Sequence, residues 1–106
     1  MNVYTIYADI KKGVKPIDFV EGMSAFLESL PQCKKFRITR MKLGFRSKNI
    51  GEWRVDMEFE SMQDLDDAMK RVLYNKNTID KHIHFEQFVD AESLDHFLYR
   101  DYPDDV

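Results

Sequence analysis

The segment that most constrains this chain is Gly51 to Glu60, which runs without pause into Ser61-Met62-Gln63-Asp64. Trp53, Val55, Met57 and Phe59 alternate strictly with Glu52, Arg54, Asp56, Glu58 and Glu60. That is the period-2 pattern of an antiparallel strand with one buried and one solvated face. A face so apolar has to be covered. Ser61 can cap the next element by accepting a free backbone N–H, Asp64 stands at the capping-box spacing, and Met62, Leu65, Ala68, Met69, Val72 and Leu73 recur at helical intervals. Strand therefore feeds helix, and the helix folds back over the strand.

The remaining segments extend this unit. Val3 to Ile10 reads as a first strand with Tyr4, Ile6, Ala8 and Ile10 as its core face and Val3, Thr5, Tyr7 and Asp9 opposite. Pro16 suits a first helical position, and Phe19, Val20, Met23, Phe26, Leu27 and Leu30 form a helical stripe that Pro31 ends. A second strand, Lys35 to Phe45, changes apolar phase between Ile38 and Met41, which predicts a bulge near Thr39-Arg40. Residues 46–50 then form a hairpin loop. If Phe45 and Gly51 bracket it, Arg40 lies opposite Asp56.

The last third has two readings. Thr78 to Phe88 is expected as a helix capped by Asn77 or Thr78, with His82-Ile83-His84-Phe85 as a strand the alternative. Ser93 to Arg100 is then the closing strand, although Leu94, Phe97 and Leu98 also fit a terminal helix; the acidic tail from Asp101 to Val106 is expected to fray. The order is strand, helix, strand, strand, helix (whole or broken in two), strand. This predicts an α+β, ferredoxin-like β-α-β-β-α-β domain spanning residues 1–106, with a four-stranded antiparallel sheet and its helices on one face. The other sheet face, with Tyr7, Asp9, Arg40 and Asp56, is the expected contact with a second copy of the chain.

Composition narrows the function classes. A length of 106 residues suits one domain. A net charge of −3 argues against general nucleic-acid binding. Seven basic residues between Cys33 and Ile50 face seven acidic ones between Glu52 and Asp67, a distribution that cross-strand pairing explains. No apolar run is long enough to span a bilayer, no signal-peptide pattern opens the chain, and Cys33 has no cysteine partner. The expectation is a cytoplasmic protein with neither membrane nor nucleic-acid partners.

Three segments resemble the dimeric α/β barrel superfamily, whose ferredoxin-like subunits pair through their sheets. They are Val3 to Val14, Trp53 to Ser61, and Leu98-Tyr99-Arg100-Asp101-Tyr102-Pro103-Asp104. The last, with Arg40-Met41-Lys42-Leu43-Gly44, is similar to a small family of uncharacterised barrel proteins ending in Leu-Tyr-Arg-Asp-Phe-Pro-Asp. The superfamily includes cofactor-free monooxygenases, haem-degrading enzymes, isomerases, ligand-sensing domains and stress-response proteins, so the resemblance implies a fold and a homodimer without choosing an activity.

Candidate chemistry centres on His82, which on the helical reading shares the sheet-facing phase with Ile79 and Ile83 and looks into a space bordered by Tyr4 and Trp53. A histidine there can move protons, but the plainer role is that of a hydrogen-bonded histidine at a helix edge. His82 and His84, with Glu86 or His96, make a metal site only if the segment is a strand. The haem-pocket residues of the relatives do not match by position, so neither metal nor other cofactor is expected. Tyr7, Asp9, Arg40 and Asp56 have an interface ion-pair network as their plainer role. The leading reading is a homodimer with a pocket for a small apolar or aromatic molecule. Alternatives are an interaction module without ligand and a cofactor-independent monooxygenase- or isomerase-like enzyme.

Overall fold

Alternation places Trp53, Val55, Met57 and Phe59 inward, and these four are buried on a strand that runs from Trp53 to Phe59. The computed structural model describes residues 1–44 and 49–103. Its elements are β1 (Asn2–Ala8), α1 (Pro16–Glu28), β2 (Lys35–Arg40), β3 (Trp53–Phe59), α2 (Met62–Tyr74), α3 (Lys76–Glu86), a short 3-10 turn (Ala91–Ser93) and β4 (Asp95–Arg100). The sheet has the order β2-β3-β1-β4 with every neighbouring pair antiparallel, the ferredoxin-like arrangement.

Helix formation follows the local signals. Ser61 Oγ accepts from the Asp64 N–H at 3.0 Å and opens α2. Pro16 sits at the start of α1, whose inner stripe of Phe19, Met23, Phe26 and Leu27 is buried against the sheet residues Ile6, Ala8, Val55 and Met57. The second helical region is broken in two at Asn75, whose side chain accepts from the Thr78 N–H at 3.1 Å and caps α3. The carbonyl of Ser29, free at the end of α1, accepts from Arg71 Nε at 3.2 Å and Thr78 Oγ1 at 3.4 Å, so one orphan acceptor ties the three helices together. α3 lies close across α1: a Cβ on Gly22 would come 3.2 Å from the Phe88 ring and 3.4 Å from Phe85 Cβ.

Several expectations need correction. The second strand stops at Arg40 rather than Phe45, so the change of apolar phase marks its end and not a bulge. Met41 still donates its N–H to the Glu52 carbonyl at 2.7 Å, but Met41 and Leu43 are exposed. The β2–β3 register is three residues away from that expected: Arg37 is opposite Asp56, and Arg40 is opposite Trp53. Residues 45–48 of the expected hairpin and 104–106 of the tail lie outside the described residues. The α3 cap is Asn75, not Asn77 or Thr78. Residues 95–100 form a strand, which removes the terminal-helix alternative.

Candidate functional site

β1 supplies the floor of the site. Tyr4, Ile6 and Ala8 share its helix-facing side, and Met57 and Phe59 continue that floor on β3. Above them α1 contributes Met23 and Phe26, α2 contributes Leu65, Ala68, Met69 and Val72, and α3 contributes His82, Phe85 and Glu86. Between floor and roof lies a cavity of about 400 Å³, within the range of small-molecule sites. Its wall is chiefly aliphatic and aromatic, and its ionisable members are Tyr4, Lys11, His82, Glu86 and His96.

Two polar pairs stand in this wall. Tyr4 Oη and His96 Nδ1 are 2.9 Å apart. The pairing register explains their meeting: Ile6 is opposite His96 and Tyr4 opposite Leu98, so tyrosine and histidine are diagonal neighbours on one side of adjacent strands. Burial pushes the Tyr4 phenol above its ordinary value, because the phenolate is harder to desolvate than the phenol. The second pair is His82 Nδ1 and Glu86 Oε1 at 3.1 Å, one turn apart on α3. Phe26 and Phe85 meet the His82 ring edge-on, each with centroids at 5.0 Å.

Of the expected pocket residues, Tyr4 and His82 line the cavity and Trp53 is not among its lining residues. Trp53 is core at the opposite end of β3, packed on Phe19 at 5.3 Å with the Arg40 guanidinium 5.2 Å from its ring centroid. His96 had been considered only as a metal ligand, and its place beside Tyr4 was missed. β4 alternates His96 and Leu98 with Phe97 and Tyr99, and nothing in that pattern says which side faces the helices. The β1–β4 register decides it. His84 is turned to Gln87, its Nδ1 being 3.0 Å from Nε2, and among the described residues no three His, Cys, Asp or Glu side chains are grouped to hold a metal ion.

The expected contact face separates into two places. Tyr7 and Asp56 remain on the open side of the sheet, joined through Arg54: its guanidinium lies 5.6 Å from the Tyr7 centroid and its Nε is 3.0 Å from Asp56 Oδ2. Thr5 Oγ1 also donates to Asp56 Oδ1 at 2.6 Å. Phe97 packs on Tyr7 at 5.9 Å and on Tyr99 at 6.3 Å, extending an aromatic patch across this face. Arg40, by contrast, is on the helix side and pairs with Glu52 at 3.2 Å, because the shifted register puts it opposite Trp53. Asp9 lies beyond the end of β1, where its Oδ1 accepts from the Glu52 N–H at 2.9 Å. Arg40 and Asp9 thus leave the expected ion-pair network, and Arg54 enters it.

No helix among the described residues is long and apolar enough to cross a membrane. Comparison with solved structures finds the same fold in distant sequences. The Arabidopsis thaliana protein At3g17210 is 14% identical with a TM-score of 0.76, each chain covered over 100% of its length. A dimeric ferredoxin-like protein of unknown function from a Jannaschia species is 10% identical with a TM-score of 0.70, covering 94% of this chain and 98% of that one. A variant of SnoaB, a cofactor-independent oxygenase from Streptomyces nogalater, is 14% identical with a TM-score of 0.62, with 97% of both chains covered. At such identities the likeness is one of fold. No curated protein matches the sequence. A family profile does, over residues 1–106, and the chain belongs to that family of unknown function, DUF6614.

Proposed function

We propose that this protein is a homodimer that binds a small apolar or aromatic molecule between its sheet and its helices. The observation that carries the reading is the cavity of about 400 Å³, whose wall is apolar apart from a few convergent polar groups at Tyr4, His82 and His96. Such a wall removes an apolar ligand from water at roughly 25 cal/mol per Å² buried, while the polar groups fix its orientation. Self-association is supported by the aromatic patch of Tyr7, Phe97 and Tyr99 on the open sheet side, and by the dimeric ferredoxin-like neighbour. Tyr4 and His82 are the ligand-facing residues in this reading, and Tyr7 and Asp56 belong to the dimer face. Trp53 supports the core behind it.

Thermal unfolding measured against a panel of bicyclic and tricyclic aromatic molecules tests the ligand. A binder present at about 100 times its Kd adds about 2.7 kcal/mol of stability. Ala68→Phe fills the cavity from the roof and should abolish that gain while leaving a folded dimer. If no member of the panel raises the unfolding temperature, or if the gain survives Ala68→Phe, the pocket reading fails and an interaction module without ligand takes its place.

A further inference from the structure

We infer that Tyr4 and His96 form a proton-transfer pair acting on a carbonyl compound with an acidic C–H bond next to the carbonyl, which makes the cavity the site of a cofactor-independent keto–enol isomerisation. This rests on the ligand-binding reading above and names the substrate class of the same cavity.

The argument begins with the tautomer. Tyr4 Oη and His96 Nδ1 are 2.9 Å apart, and either atom can be the donor. When Nδ1–H donates to the phenol oxygen, two groups are released: the Tyr4 O–H becomes free to donate to a ligand, and His96 Nε2 becomes a free acceptor. Nε2 has no hydrogen-bond partner among the described residues. His96 is on the exposed edge strand at the open side of the cavity, so a ligand can reach it; Tyr4 is half-buried on the floor. Hydroxyl and free nitrogen are then separated by one hydrogen bond and one ring width. A carbonyl oxygen and the hydrogen on its neighbouring carbon span a comparable distance.

The step balances without an oxidant or a metal. His96 Nε2 takes the proton from the α-carbon as the C–H bond breaks, its electron pair forms the C=C bond, and the carbonyl π pair moves to oxygen. Tyr4 O–H donates to that oxygen as its charge grows. The imidazolium returns its proton to carbon or to the enolate oxygen, which restores the enzyme and gives exchange in the first case and the enol in the second. Because burial disfavours the phenolate, Tyr4 keeps its proton and serves as donor throughout. A hydrogen-bond donor preorganised at a developing oxyanion is worth most in a water-poor apolar site of this kind. His82, held by Glu86 and two aromatic edges, has its Nδ1 engaged in that ion pair and is not needed for the step.

The test uses 2-tetralone, an apolar bicyclic ketone with an activated methylene group. Binding is followed by titration calorimetry, and proton exchange in D2O by the loss of the methylene signal in NMR. The wild-type chain should bind 2-tetralone and accelerate exchange over buffer. Tyr4→Phe and His96→Gln should each lower the bound exchange rate by about 10²-fold or more, the usual worth of a positioned acid or base, with Kd changed by less than about threefold. His82→Gln serves as the control and should leave the bound rate within about threefold. Absence of 2-tetralone binding overturns the ligand reading beneath the proposal. Binding without accelerated exchange, or exchange that survives both Tyr4→Phe and His96→Gln, overturns the proton-transfer pair alone.

Discussion

Gly51 is the position at which a single methyl group should do most damage. It is buried two residues before β3, against the backbone of Ala8 at the end of β1. A Cβ there would lie 2.6 Å from both the N and the Cα of Ala8 and closer still to its carbonyl carbon. Carbon atoms rest about 3.5 to 4.0 Å apart, so the two chains would have to separate by about 1 Å. Neither can yield by turning a side chain, since the clash is with backbone and β1 is held on both sides by β3 and β4. Separation would open the Ala8↔Trp53 pair and draw the indole from Phe19 and Arg40. Overpacking usually costs about 1 to 3 kcal/mol, and a backbone clash belongs at the upper end. With a urea m-value of about 1 to 1.5 kcal/mol/M for a small domain, a loss of about 3 kcal/mol lowers the midpoint by about 2 to 3 M. The chain has one tryptophan, so the fluorescence of Trp53 reports both the transition and any change in its native surroundings. Gly51→Ala and Gly51→Ser should lose similar stability at matched protein concentration. A midpoint within about 0.3 M of wild type, with unchanged native emission, would refute the close approach.

Four further outcomes are expected. Ser61→Ala removes the acceptor for the Asp64 N–H and should cost about 1 kcal/mol, with Ser61→Asp restoring it; thermal unfolding measures both. Because the Tyr4 phenol is raised by burial from its ordinary value of 10.0, its contribution to stability is present below pH 10 and is lost as pH rises through the folded-state value. Tyr4→Phe should therefore flatten part of the fall in unfolding temperature between pH 9 and pH 11; an identical fall in both proteins contradicts this. Burial also raises the Cys33 thiol, whose Sγ donates to the Lys35 carbonyl at 3.4 Å, so its reaction with an aromatic disulfide at pH 8 should be several-fold slower in the folded protein than in urea. Phe97 is 37% exposed on the open face, and Phe97→Lys should convert a dimer into a monomer by light scattering, whereas an unchanged mass removes this face from the contact.

Most of the fold was legible because its strongest signals are local. The alternation from Trp53 to Phe59, the Ser61 cap and the stripe of α1 each depend on neighbours in sequence, and each appears where the residues put it. Register was not legible, since it depends on the turn between β2 and β3 rather than on either strand. Met41 and Leu43 misled because alternating apolar residues in an exposed segment look the same as a strand. Asn75, Asn77 and Thr78 all qualify as caps by composition. Thr78 is excluded by its own burial: its hydroxyl is needed at Ser29, beneath α1.

The site was half legible for a related reason. Tyr4 belongs to a strand whose two sides differ in polarity, so its inward direction can be read; His96 belongs to an edge strand that is apolar on both sides. The edge position has a further consequence. β4 has β1 as its single neighbour in the sheet, and its residues alternate between the cavity at His96 and the aromatic patch at Phe97 and Tyr99. A slip of one residue in this pairing would exchange the two sets, removing the histidine from Tyr4 and placing it on the open face. A second subunit pressed against Phe97 and Tyr99 would oppose such a slip, because those rings would lose their contact in the same movement. The dimer face and the cavity are thus coupled through the register of one edge strand, and the geometry of the Tyr4–His96 pair depends on residues that never face the ligand.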